Sequence, residues 1–203
     1  MGCRYMTSFH GVVDQAQVKP GEWVAVHGCG GVGLSAVQIA TALGASVIAV
    51  DVADEKLAFA KELGAVTTIN AAQGDPAAAI LELTRGGAHV SIDALGIAAT
   101  CRNSVNSLRK RGRHLQIGLT SAAEQGEVSL PIDLIVLKEA TIIGSVGMQA
   151  SRFGAMLQMV ETGKLRPGKL VHRRIALEEA GEVVASMDRF ATVGVNVIER
   201  YGP

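Results

Sequence analysis

Residues 24–40 read VAVHGCGGVGLSAVQIA. A short apolar run ending at His27 leads into a stretch where Gly28, Gly30, Gly31 and Gly33 fill four of six positions, and an apolar helical pattern follows. One reading is a tight strand-to-helix turn that needs small residues for steric reasons only. The other is a phosphate cradle. In that case Gly28-x-Gly30-x-x-Gly33, with Val32 inside it, lets backbone N–H groups approach a pyrophosphate that side chains would block. The spacing alone does not separate the two readings; its surroundings do.

Working outward, short β-rich runs alternate with helical segments. The strand candidates are 23–27, 46–51, 65–70, 89–94, 113–118 and 140–145, and the helix candidates lie near 32–43, 54–63, 75–85, 97–109 and 132–138. Asp54 reads as the N-cap of the second helix and Gly64 as its stop. Asp75-Pro76 opens the next helix and Gly86-Gly87 closes it. This alternation predicts an α/β fold with a doubly wound parallel six-stranded sheet in the order 3-2-1-4-5-6. In such a sheet the ligand lies at the carboxyl ends of the strands, where the order reverses. The glycine stretch follows the first strand and opens the first helix, as a dinucleotide site requires. An acid is also required about 20 residues further on, at the end of the second strand. Asp51 ends SVIAVD. The three features together favour the cradle.

Beyond residue 145 the pattern changes to a helix in RFGAMLQMVETG, a strand over 170–175, the helix EEAGEVVASM and a last strand over 195–199. These elements would overfill the sheet. The expected organisation is a lead-in over 1–20, a dinucleotide-binding domain over 21–150, and a 151–203 extension that belongs to a catalytic domain lying outside this chain.

Composition narrows the function classes. The 203 residues are 48% hydrophobic, enough for a sizeable core. No apolar run reaches the roughly 18 residues of a membrane span, and the N-terminus lacks a secretory pattern. Nineteen basic residues balance nineteen acidic ones, leaving no footprint for nucleic acid. Arg109, Lys110, Arg111 and Arg113 read as a solvated helix end. Cys3, Cys29 and Cys101 lack CxxC spacing, which suggests a reducing, cytoplasmic setting. Cys29 and Cys101 read as small buried thiols, and Met148, Met156, Met159 and Met187 as core fillers. His27 is a candidate to line the cleft, as is His10.

The strings GCRYMTSFHG, PGEWVAVHGCGGVGLSAVQIATALGASVIAVD, KLAFAKELGA, SIDALG, RKRGRHLQIGL, KEATIIGS and GKLRPGKLVHRRIALEEAGEVVASM carry a resemblance over nearly the whole chain. It is to the zinc-containing alcohol dehydrogenases of the medium-chain dehydrogenase/reductase superfamily, in their coenzyme-binding portion. The resemblance implies that Gly28, Gly30, Gly31, Val32 and Gly33 hold the pyrophosphate. It implies that Asp51 accepts hydrogen bonds from the adenosine ribose, which favours NAD over NADP, and that Lys56 stands beside it. Leu95 and Gly96 would flank the dinucleotide, Ile117 and Ile143 would meet the nicotinamide carboxamide, and Thr7 would touch the nicotinamide ring as the catalytic contact. Cys3 would be one of three protein ligands of catalytic zinc, the other two coming from the N-terminal catalytic domain.

The implied activity is hydride transfer between a small alcohol or aldehyde and NAD in the complete protein. In the family, the strands corresponding to 128–147 pair across a two-fold axis, so a homo-dimer or higher homo-oligomer is expected. Departures from the family also matter. No other Cys, His or Glu pair completes the zinc, and one cysteine does not hold zinc tetrahedrally. A zinc-free NADPH quinone or enoyl reductase is the nearest alternative, which Asp51 and Cys3 oppose. A non-catalytic NAD-binding module is another. A short-chain dehydrogenase would need Tyr-x-x-x-Lys, which neither Tyr5 nor Tyr201 begins.

Overall fold

The computed structural model describes residues 2–187 and 192–202. Six parallel strands form the main sheet: β1 (Trp23–His27), β2 (Ser46–Asp51), β3 (Thr67–Asn70), β4 (Ala88–Asp93), β5 (Leu108–Gln116) and β6 (Thr141–Gly144). Their order is β3-β2-β1-β4-β5-β6, as the alternation of elements predicts. The sheet is covered by α2 (Gly31–Ala42), α3 (Asp54–Glu62), α4 (Pro76–Leu83), α5 (Ala98–Asn106) and α6 (Ile132–Lys138), with α1 (Cys3–Phe9) ahead of them. Further on, α7 (Phe153–Glu161) and α8 (Ala180–Met187) accompany a separate parallel pair, β7 (Val171–Ala176) and β8 (Val195–Arg200). Among the described residues no helix is long and apolar enough to cross a membrane.

The central strand explains the sequence pattern. Val24, Ala25 and Val26 are wholly buried because helices cover both faces, so β1 is apolar without alternation. Helix α2 is buried from Gly33 to Ala40. Gln38, a polar residue in that run, is satisfied by three bonds. Its Oε1 accepts from the Tyr5 hydroxyl (2.7 Å) and the Arg166 N–H (3.2 Å), and its Nε2 donates to the Arg166 carbonyl (3.0 Å). Gln38 thereby joins α1, α2 and the chain after α7. Tyr5, Phe9 and Val12 lie in the same core cluster as β1 and α2.

Register sets the site. His27 pairs with Val50 of β2 and with Asp93 of β4, so three strand ends stand side by side at the reversal of strand order.

Two expectations about helix ends are corrected. The N-cap of α3 is Ala53, and Asp54 is its first residue. Asp54 instead accepts a bond from Asn70 Nδ2 (2.7 Å), a partner on β3 that outcompetes local capping. The basic cluster lies on β5, because α5 ends at Asn106. Leu108 pairs with Ala88 and Arg113 with Val90, so residues 109–112 loop out of the ladder, with Arg111 at φ +60°. Arg113 Nη2 then reaches both carboxylate oxygens of Glu22 (2.6 and 2.7 Å), at the opposite end of the sheet from the glycine turn. By contrast, Asp75 caps α4 as expected, accepting from the N–H groups of Ala77 and Ala78, with Pro76 first in the helix. Gly64 follows α3 in the left-handed region (φ +114°).

Candidate functional site

The four glycines of the turn do four different things. Gly28 has φ +90°, which turns the chain out of β1, and its N–H donates to the Val50 carbonyl (2.8 Å). Gly33 lets the turn fold onto itself: a Cβ there would lie 1.8 Å from the Gly28 carbonyl oxygen. At Gly31 a Cβ would lie 2.5 Å from Arg4 Cδ. Of the four, only Gly30 faces open space, with no protein atom beyond its own chain neighbours within 4 Å of a built Cβ. Gly30 is also the N-cap of α2 and offers no side-chain cap. The amides of Gly31, Val32 and Gly33 therefore form a first helical turn with no carbonyl behind it to take them.

This turn borders a cavity of about 760 Å³. Asp51 stands across it. One carboxylate oxygen accepts from the Cys29 N–H (2.6 Å), and the other from the N–H groups of Val52 (2.8 Å) and Ala53 (3.1 Å). Asp51 thus braces the glycine turn against the end of β2, and its carboxylate retains acceptor capacity toward the cavity. Buried Lys56 lines the same wall. The opposite wall comes from the loop after β4 and from α5, including Leu95, Thr100 and Asn103.

Most of the candidate residues converge here. Gly28, Gly30, Gly31, Val32, Asp51, Lys56 and Leu95 line the cavity, and Gly33 supports the turn from behind. Gly96 adjoins Leu95 with φ +96°, in a spot where a Cβ would lie 2.1 Å from the Leu119 carbonyl oxygen. Cys3, Thr7, Ile117 and Ile143 do not line it. Cys3 is exposed at the start of α1, with its Sγ 3.9 Å from Thr7 Oγ1 one turn later. Ile117 follows β5 and reaches the lead-in, its Cδ1 2.9 Å from a Cβ built on Gly11. Ile143 is half-buried beside Leu115. Among the described residues, no three His, Cys, Asp or Glu side chains gather to hold a metal.

His27 lines the cavity floor. Burial, and secondarily the nearby His114, pushes its pKa down to about 3, so it is neutral at physiological pH. His10 instead pairs with Asp14 (2.7 Å) away from the cavity. Met156 is a core residue, whereas Met187 lines the cavity together with Thr192 and Gly194. Cys29 and Cys101 are both buried, and burial raises both thiols, Cys101 to about 11.

Sequence reasoning missed two features. Arg4 borders the cavity from α1. Asp93, wholly buried, accepts from the N–H groups of Leu95 and Gly96 (both 2.9 Å) and from Gln116 Nε2 (3.0 Å), and so shapes the loop that forms the far wall. Gln116 Oε1 in turn meets His114 Nε2 (3.0 Å), and His114 Nδ1 meets the Ser104 hydroxyl on α5 (2.8 Å). Because both Gln116 Nε2 bonds are donated, its Oε1 must accept, which puts the His114 proton on Nε2. The available signal for Asp93 was an acid ending the fourth strand in SIDALG.

Residues 31–162 match the sequence profile described as zinc-binding dehydrogenase. The NAD-dependent alcohol dehydrogenase of Sulfurisphaera tokodaii is 35% identical over 199 residues, covering 97% of this chain and 55% of that protein. An alcohol dehydrogenase of Geobacillus stearothermophilus is 34% identical, covering 84% of this chain and 48% of that protein. The crystal structure of benzyl alcohol dehydrogenase from Acinetobacter calcoaceticus superimposes with a TM-score of 0.88 at 27% identity, covering 98% of this chain and 55% of that one. The chain spans about half the length of the curated relatives it matches.

Proposed function

The chain belongs to the zinc-binding dehydrogenase family, and from that premise we propose that it is the coenzyme-binding portion of an NAD-dependent alcohol dehydrogenase. The observation that carries this reading is the pairing of bare Gly30, on an uncapped helix start, with Asp51 across the same cavity. The residues present fit the dinucleotide. The α2 amides would meet its pyrophosphate, while Asp51 and Lys56 would meet the adenosine ribose. Leu95 and Gly96 would flank the adenosine half, and Ile117, Ile143 and Thr7 would extend the site toward the nicotinamide. A bound nicotinamide supplies the hydride acceptor for oxidation of a small alcohol, or the donor for reduction of an aldehyde.

Zinc is a different matter. Cys3 alone does not make a site, since a catalytic zinc needs three protein ligands and an open position. Cys3 is proposed as one ligand, with the others supplied from outside this chain, and no step is derived through the metal. The organisation proposed with this reading is the lead-in 1–20, the dinucleotide domain 21–150 and the extension 151–203, in a cytoplasmic protein.

Coenzyme choice is the test. Calorimetric titration is expected to favour NAD over NADP by about a hundredfold, or ~2.8 kcal/mol, because the Asp51 charge repels a 2′-phosphate. In Asp51→Ala the preference should collapse. The ratio of the two affinities is the deciding quantity rather than the NAD affinity alone, because Asp51 also holds the turn through three backbone bonds. Equal affinity for the two coenzymes in the parent protein would sink the reading and favour the NADPH reductase alternative.

Association is proposed as well. No residue of α6 is buried, and Val136 and Leu137 are 68% and 75% exposed. β6 is the outer strand of the sheet, with Ile142 43% exposed. An apolar edge of this kind calls for a partner, and a second copy across a two-fold axis through residues 128–147 fits it. Light scattering at micromolar concentration should report a dimer, and the pair Val136→Lys with Ile142→Lys should give monomers. A monomeric parent protein refutes this assembly.

A further inference from the structure

Gly31 raises a question that its backbone does not answer. It is not in the left-handed region, so conformation alone does not demand glycine there. A Cβ on it would nevertheless stand 2.5 Å from Cδ, 2.9 Å from Nη1 and 3.3 Å from Nε of Arg4. The missing side chain is therefore the space in which the Arg4 side chain lies, laid across the first turn of α2 from α1. Arg4 lines the same cavity as Gly30 and Val32.

The electrostatics of this placement are adverse without a ligand. A helix N-terminus carries the positive end of the helix dipole, and cations near it are disfavoured. Among the described residues Arg4 has no carboxylate partner. Its hydrogen-bond contact is from Nη2 to Met187 Sδ at 3.6 Å, and thioether sulfur is a weak acceptor. A half-buried guanidinium with unspent donors, set on an uncapped helix start, becomes favourable when an anion bridges the two.

We propose that Arg4 is a binding and positioning residue for the pyrophosphate of the dinucleotide, closing the cradle from the α1 side. The inference rests on the NAD reading above and adds a cation that the glycine pattern does not contain. Its fork would donate to phosphate oxygens opposite those held by the α2 amides. One consequence follows for geometry. Arg4 adjoins Cys3, and Thr7 lies one turn further along α1. A grip on the phosphates therefore also steadies the helix that carries the proposed metal ligand and the proposed nicotinamide contact.

The test is calorimetric titration of NAD and of ADP-ribose into the parent protein, Arg4→Met and Arg4→Lys. Methionine keeps an apolar stem over Gly31 and removes the fork. Both ligands should weaken about tenfold or more in Arg4→Met, and to the same degree, since both carry the pyrophosphate. Arg4→Lys should recover part of the loss. Arg4→Met binding both ligands as tightly as the parent overturns the inference. So does a loss seen for NAD but not for ADP-ribose, which would move the contact to the nicotinamide half. If Arg4→Met does not fold, Arg4→Gln answers the same question by the same outcomes. A parent protein that binds neither ligand overturns the NAD reading itself, and this inference with it.

Discussion

Gly30→Val is expected to weaken NAD binding by at least about a hundredfold, ~2.8 kcal/mol, while the protein stays folded. The two halves of that expectation have separate causes. Folding is spared because a Cβ at Gly30 meets no protein atom beyond its chain neighbours within 4 Å and the backbone there, at φ −80°, suits any residue. Binding is lost because the branched side chain would project into the space beside the α2 amides, where the pyrophosphate must come close. Thermal unfolding and calorimetry on the same sample separate the two. A variant that folds and binds NAD like the parent would remove the cradle assignment.

Gly33→Ala should do the opposite: it should damage the fold first. Its Cβ would sit 1.8 Å from the Gly28 carbonyl oxygen and 2.9 Å from the carbonyl carbon, both backbone atoms of the same turn. No rotamer change relieves that overlap, so the β1–α2 turn must open and the wholly buried Leu34 beside it must shift. Overpacking of this kind costs about 3 kcal/mol or more, which for a chain of this size lowers the thermal midpoint by roughly 6–12 °C. Differential scanning calorimetry reads it directly. An unchanged midpoint would show that the turn has slack the geometry denies. The pair matters because both residues belong to one motif: one variant keeps the fold and loses the ligand, while the other loses the fold.

How legible this was in the sequence depends on how local each cause is. The β1–α2 turn, Asp75 with Pro76 at the start of α4, and Gly64 after α3 were readable because caps and left-handed glycines are demands of a few adjacent residues. The Asp54 cap and the basic cluster were misread because their partners are distant. Asn70 claims Asp54 across the β3 edge, and Glu22 claims Arg113 from the far end of β1. The role of Arg4 was not readable at all, and Asp93 was visible only as an acid at a strand end, not as the group that shapes the far wall. Nothing near Arg4 in the chain says that its side chain crosses α2, and nothing near Asp93 announces Gln116.

What the amino-acid sequence determined by itself was the alternation of strands and helices, the place of the glycine turn between the first strand and its helix, and the acid at the end of the second strand. From these come the six-stranded parallel sheet and the site at its reversal of strand order. Each of those features is set by periodicity or by the conformational needs of a single turn, which short stretches of chain carry alone. Only the tertiary structure divided the labour among the glycines, giving open space to Gly30, the Arg4 side chain to Gly31 and the Gly28 carbonyl to Gly33. The reason is steric: identical residues in one motif differ only in which atoms reach them, and those atoms arrive from α1 at Gly31 and from the turn itself at Gly33, while none arrives at Gly30.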